Sequence, residues 1–163
     1  MRVVILGNAG SGKSTMARRL AAGRDIPVLS LDAIAFAQGA ERRPLGDSLA
    51  ALQNFLDTHD SWIIEGCYGD IAAAALPHCT ELRFLNPGVE TCVAHCEQRP
   101  WEPDKFASQA EQNAVLPGLI DWVRSYETRD DEYGLECHRR VFTEFAGLKR
   151  EYSDTGAYDD DGF

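Results

Sequence analysis

The segment Gly7-Asn8-Ala9-Gly10-Ser11-Gly12-Lys13-Ser14 constrains this chain more than any other stretch. It follows the apolar run Val3-Val4-Ile5-Leu6 and precedes a helical pattern in which Met16, Ala17, Leu20 and Ala21 share one face. The spacing G-x-x-x-x-G-K-[ST] between a strand and a helix is a polyphosphate cradle. Its glycines let the backbone turn tightly and aim successive N–H groups at one anion, and the helix adds its positive amino end. Lys13 supplies a mobile charge for the outer phosphates, and the Ser14 hydroxyl is suited to Mg²⁺. Gly7 to Thr15 are therefore the candidate nucleotide-binding residues.

The rest of the chain alternates short apolar runs with amphipathic ones. Pro27–Leu31, Trp62–Ile64 and Leu82–Leu85 read as strands. Helical spacing joins Leu45, Leu49, Leu52 and Leu56, then Val89, Cys92, Val93 and Cys96. Pro117 reads as the first turn of a helix carrying Leu119, Ile120 and Val123, and a last helix spans about 131–146. Pro100 and Pro103 make 99–108 a loop. This order implies βαβ units: a three-layer α/β/α domain with a parallel sheet of four or five strands, over 1–152. The acidic residues 153–163 read as a disordered tail.

Charge and composition exclude some partners. The 163 residues carry 26 Asp and Glu against 16 Lys and Arg, a formal net charge of −10, which disfavours nonspecific nucleic-acid binding. No apolar run is long enough for a membrane span, and the first one stops at Gly7, too early for a signal peptide. Five cysteines without a secreted spacing pattern fit reduced thiols in a cytoplasm. Cys92, His95 and Cys96 lie close on one helix, but a structural zinc site needs a further pair of ligands. Oligomeric state is not legible.

In open α/β sheets, ligands gather beyond the carboxyl ends of the strands. Asp32 and Glu65 sit at two such ends. Asp32 either orients and deprotonates an acceptor hydroxyl or caps the helix starting at Ala33. Glu65 either holds a Mg²⁺-bound water or is a surface carboxylate at a turn. Arginines at 42, 43, 99, 124, 129, 139 and 140 are either solvated or serve a travelling phosphoryl group. Trp101 either stacks on a base or pins its own loop.

On these residues the chain resembles adenylate-kinase-like and shikimate-kinase-like P-loop NTPases, and within them the DNA topology modulation (FlaR-related) group. The resemblance covers roughly the first 150 residues, a one-domain span. Ile64-Glu65-Gly66 is similar to the hydrophobic-Asp-Gly segment of adenylate kinases, with Glu in place of Asp, and so implies a metal role for Ser14 and Glu65. It also implies a lid-like segment about 99–128 opened by Arg99, with Arg129 in an Arg-x-Asp-Asp-like segment and Arg139 as a later phosphate-touching arginine. Asp32 is similar in placement to the acceptor-binding Asp of shikimate kinases. No lid zinc set is present, and the chain after Tyr152 is too short for the usual final helix. The resemblance implies an ATP- and Mg²⁺-dependent kinase of a small-molecule acceptor, with Lys13, Asp32, Arg99, Arg129 and Arg139 as catalytic residues. The alternatives are a nucleotide-dependent switch or ATPase, and a DNA-associated regulator.

Overall fold

The computed structural model describes residues 1–37 and 41–159. Its strands are β1 (Arg2–Gly7), β2 (Val28–Ser30), β3 (Trp62–Gly66), β4 (Glu81–Leu85) and β5 (Leu148–Tyr152). Its helices are α1 (Lys13–Ala21), α2 (Asp32–Ala35), α3 (Leu45–Thr58), α4 (Gly69–Ala75), α5 (Val89–Glu97), α6 (Gln109–Arg124) and α7 (Leu135–Glu144). All strand pairs are parallel, in the order β2-β3-β1-β4-β5.

The central strand explains the layering. Val3, Val4, Ile5 and Leu6 are all buried, so β1 is apolar on both faces, as a strand covered by helices must be. Val3 and Ile5 pack with Met16, Ala17 and Leu20 of α1. Val4 and Leu6 point the other way, into a cluster with Leu52 of α3, Ile71 and Ala72 of α4, and Val141 of α7. A smaller cluster joins Cys92, Val93 and Cys96 of α5 to Val123, Leu119 and Ile120 of α6.

Register positions the site. Ile5 and Ser30 both stand opposite Glu65, and Leu6 opposite Gly66. The Leu31 amide donates to the Glu65 carbonyl at 2.8 Å. The ends of β1, β2 and β3 therefore share one edge, next to the switch in strand order between β1 and β4.

Three segments differ from the sequence-based expectation. Pro117 lies inside α6 rather than in its first turn. The helix starts earlier because the Ser108 hydroxyl accepts from the Glu111 amide at 3.1 Å, and the Glu111 carboxylate accepts from the Ala107 amide at 2.7 Å. Packing of Leu116, Leu119 and Ile120 on α5 offsets the hydrogen bond that proline cannot make. The last helix starts at Leu135 rather than near 131, because the Asp131 carboxylate accepts from the Tyr133 amide at 3.0 Å and holds a turn there. Finally, Thr155–Asp159 is a 3₁₀ helix folded onto the domain, not a disordered stretch. Tyr158 anchors it against the Tyr152 ring, 5.8 Å away edge-on. Residues 160–163 of the expected tail, and residues 38–40 of the polar stretch after β2, lie outside the described residues. Among the described residues no helix is long and apolar enough to cross a membrane.

Candidate functional site

The loop from Gly7 to Gly12 bends where only glycine is comfortable. Gly10 has φ +78° and Gly12 φ +97°, both left-handed. Space is as demanding as conformation: a Cβ on Gly10 would stand 2.3 Å from the Cys92 carbonyl oxygen and 2.8 Å from the Cys96 sulfur. Two further bonds pin the loop from outside. The Asn8 side-chain amide donates to the Val123 carbonyl at 3.1 Å, and the His95 ring donates from Nδ1 to the Gly10 carbonyl at 2.7 Å. His95 thus serves the loop, while Cys92 and Cys96 pack in the apolar cluster with Val93 and Val123.

The loop and the first turn of α1 hold several polar groups with few partners of their own. The first turn of α1 has no side-chain cap and no acidic residue, so its N–H groups are not satisfied from within. The Ser11 hydroxyl is buried and has no partner among the described residues. The Lys13 ammonium folds over the loop and donates to the Asn8 carbonyl at 2.7 Å. This donor set fits a polyphosphate.

Glu65 is buried on β3, not at a surface turn, and its Oε1 accepts from the Ser14 hydroxyl at 3.1 Å. A hydroxyl and a carboxylate held together beside the cradle are hard oxygen donors of the kind Mg²⁺ takes. The nearby Cys67 thiol is pushed up to about 11 by burial, and it feels Lys13, Asp32 and Glu65 together. Asp32 opens α2 as its first residue, with Leu31 in the capping position. Its carboxylate accepts from the Tyr68 hydroxyl at 2.5 Å. Burial, then that same bond, push the Tyr68 hydroxyl well above the usual phenol range. It stays a donor and holds the carboxylate in one orientation.

The three arginines singled out from sequence are each engaged by a carboxylate, and none hydrogen-bonds to Gly7–Thr15. Arg99 faces Glu102 at 3.6 Å. Arg129 grips Asp131 through Nε at 2.8 Å and Nη2 at 2.6 Å, and lies 4.5 Å from the Trp122 ring centroid. That bond holds the Asp131 carboxyl below its ordinary range. Arg139 pairs with Glu151 at 2.6 Å and lies over Phe84. Trp101 donates to the Phe106 carbonyl at 3.1 Å, within its own loop.

Two features escaped the sequence. Tyr158 donates to the Ser11 carbonyl at 2.8 Å, with its ring against Gly12. Arg42 lies 4.9 Å from the Tyr68 ring centroid and bonds Asp70 at 3.2 Å, with Glu132 at 3.9 Å. Arg42 itself was a candidate from the sequence; what escaped is its pairing, with partners on α4 and before α7.

No protein-family model and no curated relative matches the chain. Solved structures do. A gluconokinase from Sinorhizobium meliloti 1021 superposes with a TM-score of 0.52 at 16% identity, covering 96% of this chain and 85% of that one. Shikimate kinase from Acinetobacter baumannii, in complex with shikimate, gives 0.51 at 17% identity, covering 98% and 88%. The fold is that of the P-loop kinases. It is the three-layer, adenylate-kinase-like form with a five-stranded parallel sheet.

Proposed function

We propose that the protein transfers the γ-phosphoryl group of ATP to a hydroxyl of a small-molecule acceptor, in the reducing cytoplasm to which its five free thiols are suited. One observation carries this reading. Ser14 and the buried Glu65 are bonded to each other beside a glycine cradle whose lysine lies over the loop. The resemblance to the FlaR-related group is compatible with it, and the net charge of −10 weighs against a DNA-associated role.

In this reading the amides of Gly10 to Ser14 and the Lys13 ammonium bind the β- and γ-phosphates. Ser14 and Glu65 are the residues that would hold Mg²⁺, which would supply neutralising positive charge to the phosphates. Asp32, oriented by Tyr68, accepts the proton of the acceptor hydroxyl. The acceptor oxygen bonds to the γ-phosphorus, the bond to the β,γ-bridging oxygen breaks, and ADP leaves. Arg99, Arg129 and Arg139 exchange their carboxylate partners for phosphoryl oxygens as the lid-like segment closes.

A coupled ADP-release screen of nucleosides, sugars and hydroxy acids tests the reading. Release that depends on an acceptor and disappears in Lys13→Ala supports it. Tight Mg·ATP binding with no acceptor-dependent release across the screen favours the nucleotide switch instead.

A further inference from the structure

Resting on the reading that an acceptor binds beside Asp32, we propose that Asp70 and Glu132 set its charge: the site takes a hydroxylated acceptor bearing neither phosphate nor carboxylate, and turns anionic ones away. Arginine is the usual means of gripping such an anion, through its paired N–H groups. Arg42 is the guanidinium stacked over the same Tyr68 that orients Asp32. Its charge is already answered, by Asp70 at 3.2 Å and by Glu132 at 3.9 Å.

The neighbouring charges do not restore a positive site. Asp32 adds a third carboxylate at the hydroxyl of Tyr68. Arg129 comes with Asp131, bonded to it at two points, so the two together add no net charge to this side even when the guanidinium turns to a phosphoryl oxygen. Arg43 follows Arg42 with its amide bonded to the Ala35 carbonyl at 2.8 Å, and no ion pair or hydrogen bond among the described residues joins its side chain to Asp32, Asp70 or Glu132. Arg140 is exposed beside Cys137, and counting it still leaves three carboxylates against two guanidiniums. An anion brought within several ångströms of this excess loses about tenfold or more in occupancy at a surface-like dielectric.

What remains suits an uncharged ligand. Nη1 of Arg42 is buried without a partner among the described residues and keeps its N–H groups for a hydroxyl or carbonyl oxygen. Tyr133 meets buried Tyr68 edge-on at 5.3 Å and Trp122 at 5.5 Å; Tyr133 and Trp122 are half-buried and leave part of their carbon edges for a ring, beside the Arg129 guanidinium stacked on both.

The test uses the full chain with Mg·ATP and matched acceptors: nucleosides against their 5′-monophosphates, and aldoses against their aldonates and 6-phosphates. ADP release gives kcat and KM, and calorimetry gives binding. The neutral member of the productive pair is expected to have a kcat/KM at least about tenfold higher. Asp70→Asn combined with Glu132→Gln is expected to narrow that gap about tenfold, through KM. Glu132→Gln alone, at a more exposed position, gives a smaller change in the same direction. A preference for the monophosphate, aldonate or sugar phosphate in the unaltered protein overturns this inference and leaves the kinase reading standing. If Mg·ATP binds but no probe is phosphorylated or bound, the kinase reading falls, and this inference with it.

Discussion

The Tyr158 hydroxyl donates to the Ser11 carbonyl at 2.8 Å, across 147 residues of sequence. The end of the described chain is thereby fastened to the loop between β1 and α1. The fastening has a second point, the ion pair of Arg19 on α1 with Asp159. Tyr158→Phe removes one hydrogen bond and is expected to cost about 1 kcal/mol. Tyr158→Ala also uncovers Gly12 and the Tyr152 ring, and about 2–3 kcal/mol is expected. Urea denaturation measures both, and equal stability of all three proteins contradicts the contact.

The glycines of the loop are expected to differ from glycines elsewhere. Gly10→Ala drives a methyl group into the Cys92 carbonyl in a left-handed conformation, and should cost roughly 3 kcal/mol or more. Gly23 is also left-handed, at φ +71°, but has open space around it. Gly23→Ala should cost only about 1 kcal/mol. Thermal denaturation of the two variants reads the difference.

Removing the donors of the cradle is expected to separate chemistry from folding. Lys13→Ala and Glu65→Gln should each lower turnover by about a hundredfold or more. The helical circular dichroism of both variants should stay that of the unaltered protein. Full turnover in Lys13→Ala contradicts the assignment of the loop.

His138 makes stability pH-dependent in a defined window. It is fully buried, with Nε2 donating to the Cys67 carbonyl at 2.8 Å and Nδ1 accepting from the Tyr126 hydroxyl at 2.7 Å. That tautomer is assigned from the partners. Burial holds the ring down at about 4, against 6.5 for an ordinary histidine. The unfolded chain therefore binds the proton first. Stability is full above about pH 6.5 and falls as pH drops towards 4, by up to ~3 kcal/mol from this group. Subtracting the urea-denaturation profile of His138→Gln isolates the effect from that of the carboxylates. Identical slopes between pH 4 and 6.5 contradict it.

The glycine loop and the carboxylate beside it were legible in sequence because each is marked by its immediate neighbours. Gly7 to Ser14 are contiguous, and Glu65 announces itself by ending an apolar strand. The order of short apolar runs and amphipathic ones likewise led directly to the parallel sheet. Asp32 and Arg42 were candidates from the sequence, but what surrounds them was not legible. Asp32, Arg42, Tyr68, Asp70 and Glu132 are spread over a hundred positions, and only the pairing of β2 with β3 and the packing of α4 bring them together. Pro117 misled because a proline was weighed without the Ser108–Glu111 cap upstream. Tyr158 was hidden by acidic neighbours whose composition resembles a tail.

Glu65 is flanked on both sides, by Ile5 of β1 and Ser30 of β2. A one-residue slip of β3 would turn its carboxylate to the opposite face and break two ladders at once. The carboxylate beside Ser14 is therefore as permanent as the sheet itself, and its backbone amide should exchange hydrogen only through global unfolding. Arg42 and Asp70, by contrast, stand outside the sheet, on a short bridged segment and an opening helical turn. Substitutions at Arg42 or Asp70 can therefore remodel that surface while the pairing of Glu65 with Ser14 stays as it is.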